Sequence, residues 1–215
     1  SGKNTFKDCI FMENNKISKP FKKCLENNEF KSMVEEIIEY GLDQYYKHYK
    51  NTYKNTNFVL YQKYTYEDAC RLLNWQHNEV PLNIGGYKYD QKTKTFPVFI
   101  NYDKANDIQD TIKYEDHFIN ESQLIAISKS GRTTSSDDVQ NFLYAKERGI
   151  EVHLFVRKNK DDKTSKEFYY LGNMQAKIDQ TKQFMMPNTQ KTAVEILWQL
   201  DTPVREDIYR YIVEE

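Results

Sequence analysis

The stretch K-Y-E-D-H-F-I-N-E-S-Q-L-I-A-I-S-K-S-G-R-T-T-S-S-D-D, residues 113–138, decides how this chain is interpreted. It begins with carboxylates beside aromatic rings, continues through an apolar run at residues 124–127, and ends in a loop rich in hydroxyl groups. The apolar run predicts a short buried strand. The loop, residues 128–136, carries Lys129 and Arg132 and no acid, which suits the binding of phosphate groups. This order of parts predicts a binding site rather than a core.

Further strands are predicted on both sides of this stretch. Apolar residues alternate with others at residues 96–100, 112–114 and 194–200. The β-branched run at residues 150–156 predicts another strand, and residues 168–171 predict its hairpin partner across a polar loop. The opening stretch is therefore expected to be part of a sheet.

Helical periodicity is strongest over residues 30–49, where apolar residues recur every three or four positions, with acids early and lysines late. A second helix is predicted over residues 66–73, because Thr65 and Asp68 have the spacing of a capping box. Residues 4–28 are predicted to form shorter helical or irregular pieces, broken at Pro20.

Two more helices are predicted in the second half of the chain. Ser135 or Ser136 can cap the first of them, and Gly149 closes it. Thr202 with Pro203 predicts the start of a terminal helix. Its inward-facing residues are expected to be Val204, Ile208, Tyr211 and Ile212.

Together these elements predict an α/β chain of the α+β kind, with a curved mixed β-sheet or open β-barrel and flanking helices. Its 215 residues suffice for one good-sized domain and a small accessory piece. Residues 1–57 are expected to form a helical connector or small helical domain, and residues 58–215 the main domain.

The composition excludes several classes of protein. The 31 Lys and Arg nearly balance the 32 Asp and Glu, so any surface for nucleic acid must be local. Cys9, Cys24 and Cys70 are odd in number and lack C-x-x-C spacing, which argues against a disulfide framework and a zinc site. No apolar run approaches the roughly 18 residues of a membrane span. We expect a cytoplasmic protein that does not bind membranes.

Motifs for catalysis are weak. The chain has no glycine-rich phosphate loop, so nucleotide hydrolysis is not expected, and no catalytic residues or metal ligands are assigned. A metal-dependent nuclease pattern has a near match at Glu151-Val152-His153, with His153 at the position where lysine is expected. A metal-dependent nuclease is kept as an alternative.

The sequence fits recognition of a nucleic-acid base better than catalysis. An aromatic face can replace the stacking that an extruded base loses, and a carboxylate can accept from the exocyclic amine of cytosine. Tyrosine beside aspartate can equally mean a core ring next to a solvent-facing acid. The candidates for the base pocket are Tyr87, Tyr89, Asp90, Tyr114, Glu115 and Asp116.

Contacts to the DNA backbone are expected from two places. The residues of the basic loop that can bind phosphates are Ser128, Lys129, Ser130, Arg132, Thr133 and Thr134. Basic residues also alternate with tyrosines between residues 44 and 66, where Lys47, Lys50 and Lys54 could follow a backbone. A lysine-rich helix end followed by a solvated connector is the alternative interpretation of that segment.

Several motifs taken together carry a family resemblance. They are G-G-Y-K-Y-D at 85–90, F-P-V-F-I-N-Y-D-K at 96–104, I-K-Y-E-D-H-F at 112–118, I-S-K-S-G-R-T-T at 127–134, H-L-F-V-R-K at 153–158 and F-Y-Y-L-G at 168–172. The chain resembles the C-terminal domain of SauUSI-type restriction enzymes, which are Type IV, modification-dependent enzymes. In these proteins the domain follows a phospholipase-D-type nuclease and a superfamily 2 helicase.

The resemblance implies a domain that recognises double-stranded DNA containing 5-methylcytosine or 5-hydroxymethylcytosine. By analogy with SRA-type readers, it implies an SRA-like curved sheet that flips the modified base into a pocket. Cleavage and ATP hydrolysis would belong to the upstream domains of the same polypeptide, so no cofactor is expected in this chain. An alternative is a module that docks on the helicase or dimerises.

Overall fold

The computed structural model describes residues 12–13, 16–76, 86–102, 116–158, 166–187 and 189–214. The helices are α1 (Lys19–Cys24), α2 (Asn28–Gln44, continued by a π-helical segment, Tyr45–Tyr49), α3 (Tyr66–Leu72), α4 (Asp137–Leu143), α5 (Ala145–Arg148) and α6 (Glu206–Val213). The strands are β1 (Met12–Glu13), β2 (Lys16–Ile17), β3 (Lys63–Tyr64), β4 (Thr95–Tyr102), β5 (His117–Asn120), β6 (Gln123–Ile127), β7 (Glu151–Lys158), β8 (Phe168–Ala176), β9 (Lys182–Met185) and β10 (Thr192–Leu200).

Eight of these strands form one mixed sheet. The order along its main path is β4-β7-β8-β10-β6-β5, with β3 paired to β8 and β9 paired to β10. Strands β4 and β7 are parallel, and the remaining pairs are antiparallel. The predicted mixed sheet is thus confirmed, as is the antiparallel pairing of β7 with β8.

In the part of the chain that the structure describes, the two ends of this path approach each other through side chains rather than backbone pairing. The ring centroids of Tyr102 on β4 and Phe118 on β5 are 5.7 Å apart. The sheet therefore curves into an open barrel, as predicted, and we call the gap between β4 and β5 the seam.

Strand β7 is buried on both faces, which explains its nearly continuous apolar sequence. Val152, Leu154 and Val156 belong to an inner cluster inside the curve of the sheet. Phe155 faces an outer cluster instead, where it packs against Phe58 with ring centroids 5.3 Å apart. The outer cluster comprises Tyr53, Phe58, Tyr64, Ala69, Cys70, Leu73, Trp75, Phe99, Phe155, Phe168 and Tyr170.

Several of the helix predictions are confirmed. Helix α2 covers most of residues 30–49, although none of its side chains is buried against the described residues. At the start of α3, Asp68 N donates to Thr65 Oγ1 and Thr65 N donates to Asp68 Oδ2, each over 3.1 Å. Gly149 ends α5 with a φ of 64°, a left-handed conformation that suits glycine.

Other predicted boundaries are wrong. Pro20 lies in the first turn of α1, where its missing N–H costs no helical hydrogen bond, so it does not break a helix. The predicted single helix before Gly149 is two helices, because the backbone leaves the helical conformation at Tyr144. Helix α6 has Arg205 as its N-cap rather than Thr202. Tyr211 is 40% exposed and does not face inward.

Strand β9 was not predicted from the sequence, and the predicted strand at residues 112–114 lies outside the described residues. Within the part of the chain described here, no helix is both long and apolar enough to cross a membrane.

Replacing Phe58 tests whether the segment before β3 belongs to the same folding unit. The Phe58 side chain is fully buried between Tyr64, Phe155 and Tyr170. We expect Phe58→Ala to lower the free energy of unfolding by about 3 to 5 kcal/mol in urea titrations, because it leaves a cavity in the outer cluster.

The matched control for this change is Ile37→Ala on α2. Ile37 is 69% exposed, so its loss should change the free energy of unfolding by less than about 0.5 kcal/mol. Equal effects of the two variants would show that the outer cluster does not stabilise the sheet.

Candidate functional site

A cavity of about 230 Å³ lies beside the seam, between β4 on one side and β6 and β10 on the other. We call it the seam cavity. Helix α4 contributes Phe142 to its wall, and the turn before β4 contributes Gly86 and Tyr87. Its apolar lining includes Val98, Ile100, Ala126, Phe142, Ile196 and Trp198.

Asp116, Ser128 and Lys129 bring polar chemistry to the same cavity. With Tyr87, four of the residues predicted from the sequence therefore line one space. Ser128 and Lys129 directly follow β6, and Asp116 directly precedes β5. The curvature of the sheet brings β6 close to β4, although the two are not neighbours in the sheet.

Tyr87 connects the turn, the basic loop and α4. Its hydroxyl donates to Asp138 Oδ2 over 3.0 Å and accepts from Lys129 N over 3.0 Å. Its ring packs edge-on against Phe96 and Phe142, with centroids 5.7 and 4.9 Å away. Burial raises the pKa of Tyr87 well above the usual range of a phenol, so the hydroxyl keeps its proton.

The Lys129 side chain folds over Tyr87. Its Nζ donates to the Tyr87 carbonyl oxygen over 2.9 Å and lies 4.4 Å from the ring centroid, within cation–π range. Burial lowers the pKa of Lys129, while the carboxylate of Asp138 opposes that shift. The ammonium therefore covers one face of the Tyr87 ring.

Asp116 is held by the backbone of the neighbouring strand. Its Oδ1 accepts from Ile127 N over 2.8 Å, so the carboxylate extends the pairing of β6 past the first residue of β5, His117. This contact fixes the side chain at the wall of the seam cavity.

The start of the basic loop is anchored to β10. Ser128 Oγ accepts from Val194 N over 2.9 Å, and Ser128 N donates to the Val194 carbonyl over 2.8 Å. Gly131 N donates to the Thr192 carbonyl over 2.7 Å, and its φ of 82° permits the turn. Ser128 therefore has a structural role in addition to lining the cavity.

The rest of the loop faces solvent to different degrees. Arg132 Nε donates to Asp138 Oδ2 over 2.7 Å, and this ion pair raises the pKa of Arg132. Ser130 and Thr134 are exposed, and Thr133 is half-buried. Ser136 is the N-cap residue of α4, one of the two serines predicted for that position. Its hydroxyl does not cap the helix but accepts from Thr133 N over 3.0 Å, which orders the loop.

Several predicted residues lie away from this cavity or outside the described residues. Tyr89 packs against Phe96 in the inner cluster, and Asp90 Oδ2 accepts from the backbone and hydroxyl of Thr93, which stabilises the turn before β4. Neither lines the seam cavity. Tyr114 and Glu115 lie outside the described residues.

The three lysines of the N-terminal segment are not among the residues that line the seam cavity. Lys47 pairs with Asp43 within α2 and its continuation, and Lys54 pairs with Asp201, in each case over 2.7 Å. Lys50 lies 5.8 Å from the ring centroid of Tyr46.

Asp138 is a functional candidate that the sequence-based interpretation missed. It binds both Tyr87 and Arg132, and it lies in the first turn of α4, where the helix dipole also favours an acid. A signal was present in the sequence, because Asp138 follows a loop with two cations and no acid. Phe142 and Trp198 fall in a predicted helix and a predicted strand, and only the fold places them at the cavity.

Residues 58–212 match the family described as Domain of unknown function (DUF3427). This chain belongs to the DUF3427 family. A comparison with curated protein sequences gives no match.

Among solved structures, this DUF3427 chain is similar to SRA domains. It is 11% identical to the SUVH5 SRA domain in complex with hemi-methylated CG DNA, with a TM-score of 0.43, covering 68% of this chain and 91% of that one. For the SUVH5 SRA complex with fully methylated CG DNA the identity is 10%, the TM-score 0.41 and the coverage 68% and 93%. For KRYPTONITE in complex with mCHG DNA and SAH, the identity is 10% and the TM-score is 0.43, covering 72% of this chain and 35% of that one.

Removing the Tyr87 hydroxyl tests its role in joining the three elements. We expect Tyr87→Phe to lower the free energy of unfolding by about 1 to 3 kcal/mol, because Lys129 N and Asp138 each lose a partner in a partly buried place. Urea titration measures the change. Tyr144→Phe is the control, since Tyr144 is exposed and its recorded contact is with Arg148.

Proposed function

We propose that this domain recognises double-stranded DNA by taking one modified cytosine, flipped out of the helix, into the seam cavity. The observation that carries the proposal is the combination found there: apolar and aromatic walls of single-ring size together with Asp116, Ser128 and Lys129. A volume of about 230 Å³ is below the roughly 300 to 1,000 Å³ typical of sites for drug-sized ligands. A single pyrimidine ring is a ligand of suitable size.

Each wall has a role in this proposal. The aromatic and aliphatic side chains replace the stacking that the base loses on leaving the duplex. The Asp116 carboxylate accepts from the exocyclic amine of cytosine, which thymine lacks. An added 5-methyl group gains apolar contact worth about 0.8 kcal/mol when fully buried.

The basic loop supplies contacts that do not depend on sequence or modification. Arg132 and the hydroxyl groups of Ser130, Thr133 and Thr134 lie on one exposed loop next to the residues that line the cavity. Arginine and hydroxyl groups bind phosphate oxygens and set the position of a protein on the duplex. Binding through this loop would be strongly salt-dependent.

The wider setting is also a proposal. We propose that the domain is the non-catalytic target-recognition part of a modification-dependent restriction enzyme in bacterial defence, with nuclease and helicase domains upstream. Its support is the resemblance of the motifs to the C-terminal domain of such enzymes. ATP and catalytic metal ions would then act in those upstream domains.

A second candidate function is docking onto another protein, and α2 favours it. This helix exposes large apolar side chains, including Met33, Ile37 and Ile38, each more than half exposed. Contiguous apolar surface of this kind marks protein contacts. Absence of DNA binding together with retained association to the upstream domains would favour docking over base recognition.

Discrimination between modified and unmodified DNA is the first test. We expect a duplex with one 5-methylcytosine to bind about 4-fold more tightly than the unmodified duplex, from one buried methyl group. Fluorescence anisotropy at one stated salt concentration measures both affinities. Equal affinities would remove the proposal that the domain reads the modification.

Asp116→Asn separates base recognition from folding. The asparagine carbonyl oxygen can still accept from Ile127 N, while its amide group donates where a carboxylate oxygen accepted. We expect this variant to lose the preference for methylated DNA and to keep its affinity for the unmodified duplex. An unchanged preference would place the base elsewhere.

Arg132→Ala tests the loop independently. We expect it to weaken binding to modified and unmodified duplexes by the same factor and to reduce the slope of log K against log salt by about 1. Arg210→Ala is the matched control, because Arg210 is also an exposed arginine paired with an acid, Glu206, on a helix. If Arg132→Ala lost affinity for modified DNA only, this would contradict the proposal that the loop binds phosphates and the cavity binds the base.

A further inference from the structure

Helix α2 carries an apolar face that the rest of the described chain leaves exposed. Phe30, Met33, Ile37, Ile38 and Tyr45 recur at intervals of three, four or seven residues, so they form one row along the helix and its continuation. Their side chains are between 37% and 69% exposed. A contiguous apolar row of this kind marks a contact with another protein surface.

Gly41 lies within the same row, four residues after Ile37 and four before Tyr45. A Cβ atom at Gly41 would meet no heavy atom of the described residues within 4 Å, so packing within this part of the chain does not require a glycine. Glycine inside a helix costs about 1 kcal/mol relative to alanine. Since the distance between packed helices depends on the side chains at the contact, the missing side chain suits the close approach of a second helix.

The charges along this helix indicate which kind of helix fits. Residues 26–43 contain six acids and one lysine, whereas residues 44–50 contain Lys47 and Lys50 and no acid. A second copy of α2 lying antiparallel would place the basic end of each helix against the acidic end of the other. A parallel copy would place like charges side by side, which is unfavourable. The face is therefore complementary to itself in the antiparallel orientation.

Individual charges are also placed symmetrically about Ile38. Glu29 and Lys47 lie nine residues before and after it, and Glu26 and Lys50 lie twelve residues before and after it. A two-fold axis at Ile38 therefore brings each of these glutamates opposite a lysine of the second copy, and every pair forms twice. Glu29 and Lys47 are about five helical turns apart, so both lie on the same flank of the apolar row.

We propose that α2 binds a second copy of this chain, with the two α2 helices antiparallel about a two-fold axis near Ile38. The inference rests on the docking role of α2 described above, names its partner, and does not depend on base recognition. The ion pair of Lys47 with Asp43 is exposed on both sides, so exchanging it for Glu29 of the second copy costs little. One helix face about 25 Å long is smaller than a standard interface of roughly 800 Å² per partner, so the dimer is expected to be reversible.

Sedimentation equilibrium of the full chain, at concentrations up to about 100 μM, tests the proposal. We expect a monomer–dimer equilibrium. Ile37→Lys places two ammonium groups near the centre of the contact and should raise the dissociation constant at least about 10-fold. Ile178→Lys is the matched control, because it makes the same change at an exposed isoleucine away from α2 and should leave the dissociation constant unchanged. Ile37→Lys should still bind a duplex with one 5-methylcytosine like the parent chain, which separates this test from that of base recognition.

Reversal of charge tests the orientation of the two helices. Lys47→Glu alone should weaken self-association at least about 3-fold, because it faces Glu29 of the second copy at two symmetric places. Addition of Glu29→Lys to the same chain should restore the parent affinity, since each pair forms again with its signs exchanged. A chain that stays monomeric over this range, or a dimer that Ile37→Lys leaves unchanged, would overturn the proposal. A monomer that associates through α2 with the upstream helicase domain would also overturn it, while the docking role itself would stand.

Discussion

The hydrogen bonds of the Tyr87 hydroxyl hold the candidate site together. They connect the turn before β4 with the basic loop after β6 and with the first turn of α4, which lie 42 and 51 residues later in the sequence. Among the described residues, the backbone pairing of the sheet does not continue from β4 to β5, so the sheet itself does not make this connection. The side chains of Tyr102 and Phe118 meet across one part of the seam, and the Tyr87 network joins the elements around the cavity.

Strands β7 and β8 are largely buried on both faces of the sheet. The inner face contributes to the core beside the seam cavity, and the outer face carries His153 and the aromatic cluster around Phe58. A sheet covered on one face only would leave His153 in solvent. The segment that packs Phe58 and Trp75 against the sheet therefore also covers His153.

Local sequence patterns predicted most elements, because alternation, capping spacing and glycine placement act within a few residues. The capping box at Thr65 and the left-handed Gly149 are examples. Asp90 shows the limit of this reasoning, since aspartate beside a ring is equally suited to a turn, and it binds Thr93. The cavity wall at Trp198 could not be predicted, because it depends on the curvature that brings β10 near β4.

The internal pairing of the basic loop bears on how the domain could bind DNA. Arg132 is engaged by Asp138, and the Lys129 ammonium is turned toward Tyr87, so neither cation projects freely toward a phosphate. The Arg132 side chain is 40% exposed, and pairs of this kind contribute only about 0 to 1 kcal/mol. A DNA phosphate can therefore compete for Arg132 at little cost to the fold. The loop is suited to contacts that form on binding, whereas the cavity walls are already in place.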